Sequence, residues 1–239
     1  MRFLDDIVGF KNRKIYQDRD FFCFNLDSLL LSYFTEIKKS DENILELGVG
    51  NGVNLLILSK KYSNNFVGID IQKENIELAK ESIKYNGLDD RITIYQMNII
   101  DAYKKLGNNK YDVILCNPPY FEKSSSTKNH IKAVAKSKML ISLEDIVKET
   151  NKLLNNGGRL YMVYPTTGLD EILLLSNKYN LKVKKIRYVY YDKSRESKIM
   201  LLKICKNGKR GLSVDKPLIL FDNKEKTEEY RRILGEIDD

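Results

Sequence analysis

Leu45-Glu46-Leu47-Gly48-Val49-Gly50-Asn51-Gly52 joins a short apolar run to an amphipathic one through three glycines at alternate positions. A strand that ends in such a turn and opens a helix leaves unpaired N–H groups at the helix start, where bare backbone lets a ligand approach. The same alternation continues along the chain. It predicts strands at residues 43–47, 66–70, 92–96, 113–116 and 158–164, with helices between them and a parallel sheet covered on both faces. Leu55, Leu58 and Ser59 share a face of the first helix, Ile76, Ala79 and Ile83 of the second, and Leu143, Ile146, Val147 and Leu153 of a later one. Gly87 is placed to close the second helix, and Asn156-Gly157-Gly158 to turn into the fifth strand. Two later β-rich runs, residues 183–191 and 198–205, read as an antiparallel hairpin on one edge of the sheet. Upstream, Asp27 is expected to cap a helix through Leu29, Leu30, Leu31, Tyr33 and Phe34, after a polar segment at residues 11–20.

A length of 239 residues, 42% hydrophobic and 31% charged, suits one core. No apolar run approaches the roughly 20 residues that cross a bilayer, and Met1-Arg2-Phe3-Leu4-Asp5-Asp6 places acids where a signal peptide would be apolar. A cytoplasmic protein with no membrane contact is expected. Cys23, Cys116 and Cys205 lie far apart and form no CxxC, so neither a disulfide framework nor a zinc ribbon is supported. His130 is the only histidine, which argues against a metal site, a Ser-His-Asp triad and a Cys-His pair. The chemistry therefore calls for a borrowed reactive group.

The glycine turn suits a nucleoside cofactor. A dinucleotide fingerprint would place its third glycine at position 53, which is Val53, and this weakens NAD as the ligand. Glu46 ends the first strand with a carboxylate that could receive an ammonium group. Asp70, in Val67-Gly68-Ile69-Asp70-Ile71, ends the second strand where a carboxylate can accept both ribose hydroxyls. The alternative is a tight turn with Asp70 as a helix cap. Further on, Asp112-Val113-Ile114-Leu115-Cys116-Asn117-Pro118-Pro119-Tyr120-Phe121 sets two prolines directly after a buried strand, which removes two donors and leaves acceptors. A planar substrate bearing an NH₂ or amide group could be gripped by the Asn117 side chain and the Pro118 carbonyl while Tyr120 stacks on its face.

With these segments the chain resembles the class I S-adenosylmethionine-dependent methyltransferases, and within them the N6-adenine branch marked by Asn-Pro-Pro-Tyr. The resemblance implies a Rossmann-like α/β fold with a mostly parallel seven-stranded sheet, helices on both faces and an antiparallel C-terminal hairpin. It implies one domain over residues 1–239: an N-terminal extension and helix (1–41), a cofactor-binding and catalytic core (42–165), and a C-terminal hairpin and tail (166–239). Glu46, Gly48, Gly50, Asn51, Gly52, Asp70, Ile71, Asn98 and Asn117 would then hold S-adenosylmethionine, and Asn117, Pro118, Pro119 and Tyr120 the target amine. The branch usually carries an acid after the third strand. This chain has Asn98 and then Asp101, and the amide oxygen of Asn98 is the substitute acceptor.

Arg2-Phe3-Leu4-Asp5-Asp6, Phe22-Cys23-Phe24-Asn25-Leu26-Asp27-Ser28-Leu29-Leu30-Leu31, Leu143-Glu144-Asp145 and Lys216-Pro217-Leu218-Ile219-Leu220 extend the likeness almost end to end. They look like the bacterial enzymes that N6-methylate adenosine 37 beside the anticodon of valine tRNA. Those enzymes often show Ala-Arg-His-Glu where this chain reads Ala135-Lys136-Ser137-Lys138. The alternatives are a protein glutamine-N5 methyltransferase, a ribosomal RNA or DNA adenine-N6 methyltransferase, and a nucleic-acid-binding module with a vestigial cofactor site.

The charge distribution agrees with a polyanionic partner. The formal charge is +8, but residues 178–216 alone carry +10 and residues 123–138 a further +5, which leaves −7 for the rest. A basic face is expected, with tRNA, through its anticodon region, as the partner. Phe121, Lys123, Lys128, Lys132 and Lys136 in the long loop, and Arg187, Arg195, Lys198 and Arg210 near the hairpin, are its candidate RNA contacts. The solvated face of an A/T-rich genome's product is the alternative. A monomer is the expected state.

Overall fold

The computed structural model describes residues 1–7, 9–10, 12–20, 23–118 and 141–237. It opens with an antiparallel hairpin, β1 (Arg2–Asp6) and β2 (Lys14–Asp18), followed by α1 (Leu26–Phe34). Alternating units then supply β3 (Asn43–Leu47), α2 (Val53–Lys61), β4 (Asn65–Asp70), α3 (Lys73–Tyr85), β5 (Ile92–Gln96), α4 (Ala102–Leu106) and β6 (Tyr111–Cys116). From residue 141 onward come α5 (Leu143–Leu153), β7 (Leu154–Pro165), α6 (Leu169–Lys178), β8 (Leu181–Tyr190) and β9 (Ile199–Lys206). No helix of the described residues is long and apolar enough to cross a membrane.

The seven long strands β3 to β9 lie in the order β5-β4-β3-β6-β7-β9-β8, parallel except where β9 runs against both of its neighbours. Two short strands, β10 (Ser213–Val214) and β11 (Leu218–Ile219), pair in parallel along the outer side of β8, so the expected hairpin is near the edge without forming it. A last hairpin, β12 (Phe221–Asp222) with β13 (Glu225–Lys226), leads to α7 (Glu228–Ile233).

Period-two alternation decides which helices cover which face. Ile44, Val113, Leu115, Tyr161, Val163 and Leu201 face one way and pack with Leu30 of α1, Leu55 of α2 and Ala79 of α3. Leu45, Leu47, Ile114, Cys116, Leu160 and Met162 face the other way, against Ala102 of α4, Ile146 and Val147 of α5 and Ile172 of α6. Because both faces are covered, the strands read as nearly continuous apolar runs. That explains why β3 stands where the sequence places it.

Three local expectations need correction. The segment at 11–20 is not merely polar: it contains β2, whose Ile15, Gln17 and Asp18 are buried while its backbone docks on α3. Tyr16 N–H donates to Ser82 Oγ (2.9 Å), and Lys14 N–H to Asn86 Oδ1 (3.1 Å). The cap of α1 is Asn25, whose Oδ1 accepts from Ser28 N–H (3.4 Å); Asp27 sits inside the first turn, where burial raises its pKa. The ladder of β7 already begins at Leu154, which pairs with Tyr111 before Arg159 pairs with Val113. Asn156-Gly157-Gly158 is therefore a bulge inside the strand, with Gly157 at φ +80°, and not the turn that precedes it. Gly87, at φ +64° just beyond α3, does close that helix.

The buried guanidinium of Arg159 in β7 is bound by the buried carboxylate of Asp41, just before β3. Removing one partner strands the other charge, so Asp41→Ala is expected to lower stability by about 3–5 kcal/mol. The measurement is urea denaturation at pH 7. The double substitution Asp41→Leu, Arg159→Met is expected to recover most of the loss.

Candidate active site

The order of strands reverses at β3: the chain leaves it through β4 to β5 and returns to β6 on its other side. The turn that follows β3 and the Asn117-Pro118 pair that follows β6 therefore stand side by side at the carboxyl edge, the place where open α/β sheets bind ligands in a crevice.

On the β3 side, the N–H groups of Gly48 and Val49 both donate to the Ile69 carbonyl (2.9 Å each), which folds the turn back over β4. Gly48 has φ +76°, and nothing lies within 4 Å of where a Cβ would stand, so the turn offers an open floor there. Gly52, at φ +89°, is the N-cap of α2. Asp70, 8% exposed, secures the arrangement: Oδ2 accepts from Gly50 N–H (3.1 Å) and Asn75 Nδ2 (3.2 Å), and Oδ1 from Gln72 N–H (2.8 Å). Asn51 is fully buried, with Nδ2 donating to the Tyr16 carbonyl (3.4 Å). Ile71 accepts from Gln96 Nε2 (3.2 Å). Asn98 is exposed at the same rim, and its Oδ1 accepts from Ile100 N–H (3.0 Å); Met97 N–H ties that rim to the Asp70 carbonyl (2.9 Å).

Glu46 lies between Gly68 and Leu115 in the ladder and is 1% exposed. Its Oε1 accepts from Asn54 Nδ2 (2.5 Å), and Asn54 Oδ1 accepts from Ser32 Oγ (2.7 Å), so α1, α2 and β3 share one buried chain of hydrogen bonds. Its Oε2 is buried with no donor. Burial pushes the Glu46 carboxyl up to about 8; the Asn54 bond opposes this, and the Asp70 charge adds to it. On the neighbouring strand the Cys116 thiol is also pushed up, by burial and then by the Glu46 charge, which disqualifies it as a nucleophile.

On the β6 side, Asn117 is half-buried and Pro118 buried directly after the strand. Asn117 Nδ2 donates to Ser28 Oγ of α1 (3.4 Å). The crevice thus joins Glu46, Gly48, Gly50, Asn51, Gly52, Asp70, Ile71 and Asn98 on one side with Asn117 and Pro118 on the other. Pro119, Tyr120, Phe121, Lys123, Lys128, Lys132 and Lys136 lie outside the described residues. Sequence reasoning missed Ser28, Ser32 and Asn54. Their one sequence signal was a pair of serines four apart in a leucine-rich helix.

The basic run is largely occupied by partners within the fold. Arg187, expected at the RNA, is only 14% exposed in its side chain and holds Glu229 of α7 (2.7 Å). Lys185 meets Asp215 (3.2 Å), Lys203 meets Glu36 (2.6 Å), and Lys206 donates to the Leu154 carbonyl (2.8 Å). Arg195, 64% exposed, stacks over Tyr191 beside Asp192, and Lys198 is exposed.

A family profile described as a methyltransferase domain matches residues 38–209, which takes in the crevice and both of its flanking loops. The chain belongs to that family. A relative from Flavobacterium psychrophilum, named tRNA1(Val) (adenine(37)-N6)-methyltransferase, is 26% identical over 225 residues, or 94% of this chain and 95% of its own. One of the same name from Trichodesmium erythraeum is 30% identical over 159 residues, 65% and 66% of the two chains. Among solved structures, a predicted O-methyltransferase from Agrobacterium tumefaciens superposes with a TM-score of 0.70 at 16% identity, covering 87% of this chain and 95% of the other. A ribosomal protein L11 methylase from Lactobacillus delbrueckii gives 0.57 at 16%, covering 80% and 84%. At such identities these two likenesses speak for the fold: a Rossmann-like methyltransferase sheet.

Glu46 links the site to stability. A carboxyl whose folded pKa is raised from 4.5 to about 8 binds a proton in the native state that the unfolded chain has already lost. Its contribution is complete below pH 4.5 and is lost as pH rises through 8, at up to about 1.4 kcal/mol per pH unit. Denaturation of the ligand-free protein between pH 5 and 8 is expected to show that decline, and Glu46→Gln to flatten it.

Proposed function

We propose that this protein transfers the methyl group of S-adenosylmethionine to N6 of an adenosine in tRNA, with position 37 beside the anticodon of valine tRNA as the target. The observation that carries this reading is the pairing, across one crevice, of a donor-seeking pocket with an amide and a proline carbonyl. Glu46 Oε2, Asn51 Oδ1 and Asn75 Oδ1, on β3, the turn after it and α3, are buried acceptors without donors, and nothing lies within 4 Å of where a Gly48 Cβ would stand. An ammonium group and ribose hydroxyls supply the donors such a pocket lacks. The residues present therefore fit the cofactor: Glu46 for its ammonium, Asp70 and Asn98 for its nucleoside, and the turn from Gly48 to Gly52 beneath it.

When bound, S-adenosylmethionine supplies an electrophilic methyl group on a sulfonium. The chain's own part is to position the acceptor. The Asn117 amide oxygen and the Pro118 carbonyl accept the two N–H bonds of the target amine, which aims its lone pair at the methyl carbon. Tyr120 provides an aromatic face for the flipped base. No side chain has to act as a strong base, in keeping with the described residues of the site, which include no histidine. The names of the relatives support RNA as the substrate, and so does the net charge of +8. Arg195, Lys198 and Arg210, together with the lysines of the long loop, are the proposed backbone contacts. Arg187 acts by holding α7 in place.

With labelled S-adenosylmethionine and unmodified tRNA, label is expected at N6 of adenosine 37. Asn117→Ala is expected to cut turnover by roughly 10²-fold while thermal unfolding stays cooperative. Label in protein and not in RNA would overturn the reading in favour of a glutamine methyltransferase. Affinity for tRNA is expected to fall steeply with added salt, and Arg195→Ala with Lys198→Ala to reduce the slope of log affinity against log salt by about one per phosphate contact removed.

A further inference from the structure

Ser28 and Ser32 stand one turn apart on α1, and each leaves its helix to touch one half of the crevice. A buried serine in a helix ordinarily returns its hydroxyl to the carbonyl four residues back. Thr35, at the end of the same segment, does so, with Oγ1 donating to the Leu31 carbonyl (2.7 Å). Ser32, 5% exposed, instead donates across to Asn54 Oδ1 (2.7 Å), and Ser28, 2% exposed, accepts from Asn117 Nδ2 (3.4 Å). Packing alone would be served at least as well by alanine, which costs no buried hydroxyl and favours the helix.

What both serines contact is a primary amide, a group whose two ends carry opposite polarity and exchange on a half-turn. With Ser32 donating to its oxygen, Asn54 must present its NH₂ to Glu46, as the 2.5 Å bond shows. The Ser28 contact takes the nitrogen end of the Asn117 amide (3.4 Å), and a target amine, which donates, is matched by the oxygen end.

We infer that Ser28 and Ser32 are positioning residues for the methyl transfer proposed above, Ser28 setting the acceptor amide for the target amine and Ser32 setting the carboxylate for the cofactor's ammonium, so that one helix face aligns both half-sites. This inference rests on that reading. It distinguishes the two serines by the step each affects. Ser32 acts through Glu46 on cofactor affinity, and Ser28 acts through Asn117 on turnover.

The test compares full-length wild type with Ser28→Ala, Ser28→Thr, Ser32→Ala and Ser32→Thr in S-adenosylmethionine binding by calorimetry and in steady-state methylation of tRNA. Ser32→Ala is expected to weaken cofactor binding about tenfold, with its loss in kcat/KM carried by KM. Ser28→Ala is expected to lower kcat about tenfold with cofactor affinity retained. Each threonine, which keeps the hydroxyl, is expected to recover most of the loss. Equal effects of both alanines on both parameters, no effect of either, or failure of both threonines to rescue would each overturn the inference. Should wild type methylate protein glutamine and not tRNA, the RNA reading fails while the same kcat comparison on that acceptor still decides the roles of the serines. A wild-type chain that binds no S-adenosylmethionine overturns both.

Discussion

The carboxylate of Asp70 holds the crevice in shape. It is the last residue of β4, yet its oxygens reach Gly50 in the neighbouring turn, Gln72 at the start of α3 and Asn75 within it. One buried anion thereby fixes where the β3 turn stands relative to the β4 end, and with it the position of the first turn of α2. Its charge also helps to keep Glu46 protonated in the empty protein. An ammonium group reaching Glu46 would give its Oε2 the donor that the fold does not supply.

The fold was legible because its strands are covered on both sides. Buried parallel strands are apolar at nearly every position, which marks β3 in spite of Glu46, whereas the border strand β5 shows itself by alternation, Ile92 and Ile94 inward against Thr93 and Tyr95. Legibility failed where burial and apolarity part company. In β2 the inward residues include Gln17 and Asp18, so the period-two signal was hidden under polar side chains that find partners in the structure. At β7 the glycines suggested a beginning, although Leu154 was already paired; nothing local distinguishes a turn before a strand from a bulge within it.

The site divided in a similar way. Glu46, Asp70 and Asn117 stand at strand ends, where residue type and spacing carry the meaning, and the structure gathers them at one edge. Asn54, Ser32 and Ser28 were invisible because their roles depend on contacts between elements distant in sequence. The basic run shows the converse limit. Counting charges found a surplus, but Arg187, Lys185 and Lys203 spend theirs on Glu229, Asp215 and Glu36, and only coordinates show which cations remain for a partner.

The two short strands along β8 have a further effect. An outermost strand with unpaired backbone groups can recruit a strand from another molecule, the first step towards polymers. On this side β10 and β11 occupy much of that row, each by only two residues, pairing at Lys185–Ile186 and at Val189–Tyr190. The opposite border is β5, five residues long, with Thr93 and Tyr95 open to solvent. A strand recruited at β5 would find a template half the length of β8.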